Sequence, residues 1–240
     1  MERRLGILDP NRVIAIDDFP EISGIAYWAE RGTLIGVGDN GEIAEITLQG
    51  KVLRKRMHRD RDFEDVALLD QPGLALAIDE QHNQLLTVRL ADFEIVAQAG
   101  VPNGFSLTRH RNKSFEALAL TGQPPRLVLG NEFPPAVARF GTDRIAPPHT
   151  VLLGARSISG VLPGPQGELL VVSRENGLLL LDADGNAVGD GWRPVPYRFF
   201  EGAAMVPGVG LVLCVDRNPG ILLIFSSLQD WPALRHAFAS

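Results

Sequence analysis

The sequence has little cysteine, no long apolar run and no excess of positive charge, and each absence excludes a class of protein. A single cysteine, Cys214, excludes an intrachain disulfide. No apolar run reaches the roughly 18–20 residues of a membrane-spanning helix, so we expect no membrane insertion. A net charge of −6 argues against a broad nucleic-acid-binding surface. The opening residues Met1–Gly6 lack a signal peptide, which predicts a cytoplasmic protein unless an export signal has been removed.

Motifs of several common enzyme classes are also missing. The sequence has no Gly-x-Ser-x-Gly nucleophile elbow, no phosphate-binding P-loop, no dinucleotide-binding glycine motif and no His-Glu-x-x-His zinc motif. Helical periodicity is absent over any stretch of ten or more residues, and the tail 228–238 predicts one short helix. An α/β fold is therefore excluded.

A fivefold repeat is the main feature that is present. Each repeat has a small or acidic residue, an apolar strand, a turn and a second apolar strand. Successive repeats start 41, 52, 43 and 42 residues apart, and the long interval contains an insertion over 100–113. The starts are Ile22-Ser-Gly-Ile-Ala-Tyr27, Phe63-Glu-Asp-Val-Ala-Leu68, Phe115-Glu-Ala-Leu-Ala-Leu120, Ile158-Ser-Gly-Val-Leu162 and Phe200-Glu-Gly-Ala-Ala-Met205.

Four antiparallel strands in each period of 40-odd residues are typical of a propeller blade. A parallel β-helix needs shorter repeats, and a β-sandwich does not produce five equivalent starts. The fifth repeat ends after three strands, whereas the strand at 12–17 has no partner. The sequence therefore predicts an all-β, five-bladed β-propeller in a single domain, 1–240, whose N-terminal strand completes the fifth blade and removes an exposed sheet edge.

The repeat places oxygen-bearing side chains at one mouth of the central tunnel. The start of each first strand and the end of each second strand lie side by side, because the two strands are antiparallel. These ten positions carry six carboxylates, one amide and three hydroxyls. The starts are Ser23, Glu64, Glu116, Ser159 and Glu201, and the ends are Asp39, Asp79, Asn131, Ser173 and Asp216.

Three glutamates around one axis predict either raised pKa values or a bound cation. We expect Glu64, Glu116 and Glu201 to hold a metal ion, helped by Asp79, Asn131 or Asp216. Oxygen ligands favour Ca²⁺, with Mg²⁺ or Mn²⁺ as alternatives, and the absence of histidine from these positions argues against Zn²⁺. The competing interpretation is structural, since acids at strand ends often cap turns.

The insertion brings basic residues directly in front of Glu116. Arg109, Arg111 and His110 precede it, and we expect them to overhang the tunnel mouth, where they would attract a small anionic molecule. The alternative is a solvated basic loop.

Three segments resemble the SdiA-regulated family of bacterial propellers. Ile22–Tyr27 with Thr33–Asn40 resembles the opening blade of that family. Asn112-Lys-Ser-Phe-Glu-Ala-Leu-Ala119 is similar to an Asn-Lys/Arg-Gly-Phe-Glu-Gly-Leu-Ala element found there and in the phytase-like esterase propellers, with Ser114 and Ala117 replacing glycines. Phe200-Glu-Gly-Ala-Ala204 resembles a closing Glu-Gly-Ile-Ala element. The resemblance implies a propeller with an acid-lined axial site that often holds calcium.

Two functions follow from these expectations. The first is a metal-dependent hydrolase of phosphoesters or lactones, in which Glu116 or His110 is the general base. The second is a non-catalytic propeller that serves as an interaction scaffold. For the hydrolase, the residues predicted to contact substrate are Ser23, Asp39, Ser159, Ser173, Arg174, Arg109 and Arg111.

Overall fold

Runs rich in Val, Ile and Leu alternate with glycine-containing turns along the chain, and these runs form buried β-strands. The computed structural model describes residues 8–101, 115–141 and 148–239. Within these residues the strands form five separate antiparallel sheets. No helix of the described residues is long and apolar enough to cross a membrane.

Each sheet is one blade, and the first four blades are built from consecutive strands. Blade one contains β2 (Ile22–Trp28), β3 (Thr33–Gly38), β4 (Glu42–Ile46) and β5 (Val52–Met57). Blade two contains β6 (Phe63–Leu68), β7 (Leu74–Asp79), β8 (Gln84–Arg89) and β9 (Glu94–Gly100). Blade three contains β10 (Phe115–Thr121), β11 (Arg126–Asn131), β12 (Ala136–Arg139) and β13 (His149–Leu152). Blade four contains β14 (Gly160–Pro163), β15 (Leu169–Ser173) and β16 (Gly177–Leu181).

The fifth blade joins both ends of the chain. It contains β17 (Phe200–Val206), β18 (Gly210–Val215), β19 (Ile221–Phe225) and, outermost, β1 (Arg12–Ala15). Strand β1 runs antiparallel to β19, with Arg12 opposite Ile224. The predicted closure by the N-terminal strand is confirmed.

The innermost strands close into a ring. Each of β2, β6, β10 and β14 contacts the next, and β17 contacts β2. Five apolar clusters fill the spaces between neighbouring blades. The predicted five-bladed propeller is therefore confirmed, and its core consists of layers between blades.

Blade four differs from the others at its outer edge. The expected fourth strand near 183–188 is reduced to single bridges, which join Leu181 to Ala187 and Leu178 to Arg193. The Asp182 carboxylate accepts hydrogen bonds from the backbone N–H groups of Asp184 (3.0 Å) and Asn186 (2.8 Å), which makes a turn of this segment. The predicted C-terminal helix is present as α1 (Trp231–Ala239), and its Leu234 and Phe238 pack on the cluster between blades four and five.

Inner strands approach one another most closely at a layer of glycines. A Cβ atom on Gly24 of β2 would lie 2.6 Å from the Cα of Asp65 in β6, and one on Gly202 would lie 2.7 Å from the backbone nitrogen of Ile25. Since both obstacles are backbone atoms of neighbouring inner strands, a side chain at Gly24 or Gly202 forces these strands apart.

We expect Gly24→Ala to lower the free energy of unfolding by about 1–3 kcal/mol, because the added methyl group overlaps the Asp65 backbone. Urea unfolding followed by fluorescence measures the change. Gly154→Ala is the matched control, since nothing lies within 4 Å of a Cβ at that position. Equal stability of the two variants would contradict the close approach.

Candidate functional site

In four of the five blades, the polar residue at the start of the innermost strand lies in a β-bulge. In β6, Phe63 pairs with Asp79 and Asp65 pairs with Ile78, so that Glu64 has no partner in the register. The same shift omits Ser23 in β2 and Glu116 in β10. In β17 the shift omits Glu201 together with Gly202. A bulge redirects the extra side chain, and here it turns four of the five starting residues away from the sheet faces.

An apolar anchor holds each bulge in place. Phe63, Phe115 and Phe200 immediately precede the three glutamates and are at most 1% exposed. Each phenylalanine lies in a cluster between its own blade and the preceding one. The Phe-Glu pair in the sequence therefore places one residue in the core and the next one at the mouth of the ring.

Arg174 joins two of these glutamates. It follows β15 in blade four and donates from Nε to Glu201 Oε2 (2.8 Å) and from Nη2 to Glu116 Oε2 (2.6 Å). The two carboxylates belong to blades five and three, so one guanidinium ties together three blades. Burial lowers the pKa of Arg174, but the negative charges of Glu201 and Glu116 outweigh this effect and raise it.

Two groups of three carboxylates lie beside this ion pair, and Glu64 belongs to both. In the first, one oxygen from each of Glu64, Glu80 and Glu116 lies within 4.8 Å of the others, and all three residues are buried. In the second, Glu64 is grouped with Asp62 and Asp39 within the same limit, and here Asp39 is exposed. The first group therefore lies deep in the mouth and the second lies closer to solvent.

Crowding and burial change the protonation of these acids. Burial raises the pKa of Glu116 to about 8, and Glu132 and Glu80 add to the rise while Arg174 opposes it. Burial and the neighbouring Glu116 raise the pKa of Glu64 well above its usual value. Burial raises the pKa of Asp62 to about 6, with a further contribution from Asp39. The mouth therefore favours either neutral carboxyl groups or a bound positive charge at neutral pH.

Comparison with known proteins identifies the family. The model of the SdiA-regulated family matches residues 8–190. The chain belongs to the SdiA-regulated family. This match covers blades one to three and most of blade four, and it includes the acidic residues Glu64, Glu80 and Glu116.

Two solved structures are similar to this SdiA-regulated protein at low sequence identity. The glutaminyl cyclase of Myxococcus xanthus has a TM-score of 0.65 and 14% identity over 91% of this chain and 99% of the other. The WD40 β-propeller domain of Doa1 has a TM-score of 0.42 and 14% identity over 62% of this chain and 47% of the other. The first of these likenesses supports the propeller fold.

The residues expected to help the glutamates make other contacts, and Asp79 and Asp216 belong to neither of the two carboxylate groups found in the described part of the chain. Asp79 accepts a hydrogen bond from Arg61 Nη1 (2.6 Å) and lies 2.9 Å from His82 Nδ1. Asn131 donates to the carbonyl oxygen of Pro134 (2.9 Å). Asp216 is half-buried at the same mouth, where burial and the charge of Asp39 raise its pKa.

The three serines make hydrogen bonds within the scaffold. Ser23 donates to the Asp39 carboxylate and thereby orients it. Ser159 donates to the carbonyl oxygen of Phe200 (2.8 Å) and joins blade four to blade five. Ser173 donates to Asn176 Oδ1 (3.2 Å) in the turn after β15. Their predicted contact with substrate stays a prediction, as does that of Asp39 and Arg174.

The basic residues of the insertion fall on a segment for which we give no structure. His110, Arg109 and Arg111 lie outside the described residues. Their predicted roles as general base and anion-binding groups therefore stay predictions.

Two acidic residues join the site without having been predicted to do so, and a third, Asp65, is buried behind it. Glu80 and Asp62 lie one residue after β7 and one residue before β6, and each contributes to a carboxylate group. Asp65 is 3% exposed, and its carboxylate accepts hydrogen bonds from the backbone N–H groups of Val66 and Leu118, both 2.8 Å. The acidic run Asp62-Phe-Glu-Asp65 is the sequence signal that could have drawn attention to two of them.

Proposed function

We propose that the acid-lined mouth binds a divalent cation and hydrolyses a small phosphoester or lactone. The observation that carries the proposal is the convergence of Glu64, Glu80 and Glu116. Their oxygen atoms come from two blades and lie within 4.8 Å of one another in buried side chains. Buried like charges at this separation are stabilised by a shared cation.

The chemistry of the three side chains suits a hard cation. All three offer carboxylate oxygen, which favours Ca²⁺ and also accommodates Mg²⁺ or Mn²⁺. Arg174 pairs with both Glu116 and Glu201, but only Glu116 also lies in a group of three carboxylates, whereas Glu201 belongs to neither group found among the described residues. We therefore assign the cation to Glu64, Glu80 and Glu116.

The other residues of the mouth would act as general base and as stabiliser of negative charge during hydrolysis. A bound cation supplies Lewis acidity that polarises a phosphoryl or carbonyl oxygen. Asp62 and Asp39, on the open side of Glu64, are placed to accept the proton of a water molecule as its oxygen attacks phosphorus or the acyl carbon. The leaving alkoxide then takes up a proton. Arg174, whose side chain is 29% exposed, is placed to stabilise the negative charge that develops on the substrate.

Addition of Ca²⁺ is expected to raise the melting temperature of the protein by about 5–10 °C at 100 times its dissociation constant, because binding to the folded state alone stabilises it by about 2.7 kcal/mol. Differential scanning calorimetry in EDTA and in Ca²⁺ measures the shift. An equal rise with K⁺ at matched ionic strength would show general screening instead, and an unchanged melting temperature would argue against the cation.

Activity is tested with p-nitrophenyl phosphodiesters and with lactones of different ring size. The proposal requires turnover of one of these classes, loss of turnover in EDTA and recovery with added Ca²⁺. Cation binding without turnover of any substrate would instead favour the interaction scaffold.

A second candidate reaction is the cyclisation of an N-terminal glutamine. It is favoured by the raised pKa of Glu116, whose neutral carboxyl group is placed to donate a proton, and the fold it shares with a glutaminyl cyclase suggests the substrate. The α-amino nitrogen would attack the side-chain carbonyl carbon, and the amide nitrogen would leave as ammonia after taking up a proton. Ammonia release from glutaminyl dipeptides that continues in EDTA would select this reaction over hydrolysis.

A further inference from the structure

The ring contains a second chamber on the side opposite the acidic mouth. A cavity of about 290 Å³ is lined by the later residues of all five inner strands. Most of the side chains that line it are apolar, including Leu68, Leu120, Leu162 and Met205, each of which is half-buried. Such a volume lies at the lower end of the range of small-molecule sites and is too small for a folded segment of a partner.

The glycine layer separates this chamber from the acids. No described residue of the two carboxylate groups lines the cavity, and neither do Arg174 and Glu201. Gly24 and Gly202 lie between the two regions, where neighbouring strands approach too closely to admit a Cβ atom. The two ends of the ring are therefore chemically distinct compartments.

Asp65 gives the apolar wall one strong hydrogen-bond acceptor. Its carboxyl group accepts hydrogen bonds from the N–H groups of Val66 and Leu118, and a carboxyl group has acceptor capacity beyond these two bonds. Asp65 is the one carboxylic acid among the residues that line the cavity, and Tyr27 is the other lining residue with a polar side chain. A chamber lined mainly by apolar side chains with a few polar groups is the usual composition of a small-molecule site.

We propose that this chamber is a second binding site, which takes a compact, mainly apolar molecule that carries one hydrogen-bond donor. The apolar body contacts Leu120, Leu162 and Met205, and the donor faces Asp65. The site is independent of the proposed hydrolytic function, since it lies beyond the glycine layer and uses none of the acidic residues at the mouth.

The test uses 1-aminoanthracene, an aromatic amine whose fluorescence increases in apolar surroundings. We expect saturable binding of one molecule per chain, unaffected by EDTA. Ala67→Phe, which adds a ring to the cavity wall, is expected to weaken binding at least about tenfold. Glu64→Gln, at the acidic mouth, is expected to bind the probe as tightly as the wild type.

Met205→Trp fills the same chamber from another blade and replaces Ala67→Phe if that variant does not fold. Lack of saturable binding by the wild type overturns the proposal. Unchanged affinity in a folded Ala67→Phe or Met205→Trp variant overturns it too, as does a loss of affinity in Glu64→Gln, because that result places the probe at the acidic mouth.

Discussion

Replacing Arg174 by methionine is expected to lower the free energy of unfolding by about 2–4 kcal/mol at pH 8, measured by urea unfolding in EDTA. The methionine leaves the carboxylates of Glu116 and Glu201, 6% and 4% exposed, without their shared guanidinium. A buried charge that loses its partner costs more than the pair contributed. This is the largest change in stability that we expect from a single substitution at the mouth.

The effect of Arg174→Met depends on pH in a defined direction. The pKa of Glu116 is raised from its ordinary value of 4.5 to about 8. Such a group favours folding while it is neutral, below pH 4.5, and this contribution is lost as pH rises through about 8. Arg174 stabilises the ionised form of Glu116. We therefore expect Arg174→Met to change the free energy of unfolding little near pH 5 and most above pH 8.

Neutral replacements of the partners provide the control for Arg174→Met. Adding Glu116→Gln and Glu201→Gln to Arg174→Met removes the unpaired charges and is expected to recover much of the lost stability at pH 8. Arg126→Met, on an exposed arginine at the start of β11, is expected to change stability by about 0.5 kcal/mol or less. A triple variant no more stable than Arg174→Met would contradict the ion-pair explanation.

Glu64→Gln is expected to weaken Ca²⁺ binding at least about 100-fold and to reduce hydrolysis by a similar factor. Glu64 is the one residue shared by both carboxylate groups in the described part of the chain, so its loss affects a cation at either position. Glutamine keeps the shape of the side chain and removes the charge. Isothermal titration calorimetry measures the affinity, and initial rates on the best substrate measure the activity.

Asp216→Asn is the matched control for Glu64→Gln. Asp216 lies at the same mouth, and Asp39 helps to raise its pKa, but it belongs to neither carboxylate group. We expect the asparagine variant to bind Ca²⁺ with a much smaller loss of affinity than Glu64→Gln. Equal losses in the two variants would point to the general negative potential of the mouth and away from direct ligation.

Much of the fold follows from the sequence because two features of the repeat indicate it. The Phe-Glu pairs at Phe63, Phe115 and Phe200 mark both the core between blades and the mouth of the ring. The unpaired strand near Arg12 and the missing strand of the fifth repeat together predict the closure with β19. Blade four departs from the pattern after the turn at Asp182, where isolated bridges at Ala187 and Arg193 replace the fourth strand.

The arrangement inside the mouth was harder to predict than its position. The spacing of the repeat brings Glu64, Glu116 and Glu201 to one end, but it contains no information on which side chains pair. Arg174 reaches Glu116 and Glu201 across two blade boundaries, a contact between residues 58 and 27 positions apart. Asp62 and Glu80 lie next to strand ends, where one residue of difference decides whether a side chain faces the mouth.

The pairing of Arg12 with Ile224 has a consequence for how the protein is made. The residues of β1 leave the ribosome long before those of β19, their partner strand. Until β19 is synthesised, β1 has no strand with which to pair. The faces of blades one and four that pack against blade five are not yet fully covered. Contacts between such distant residues slow folding and leave apolar surface open to chaperones in the meantime.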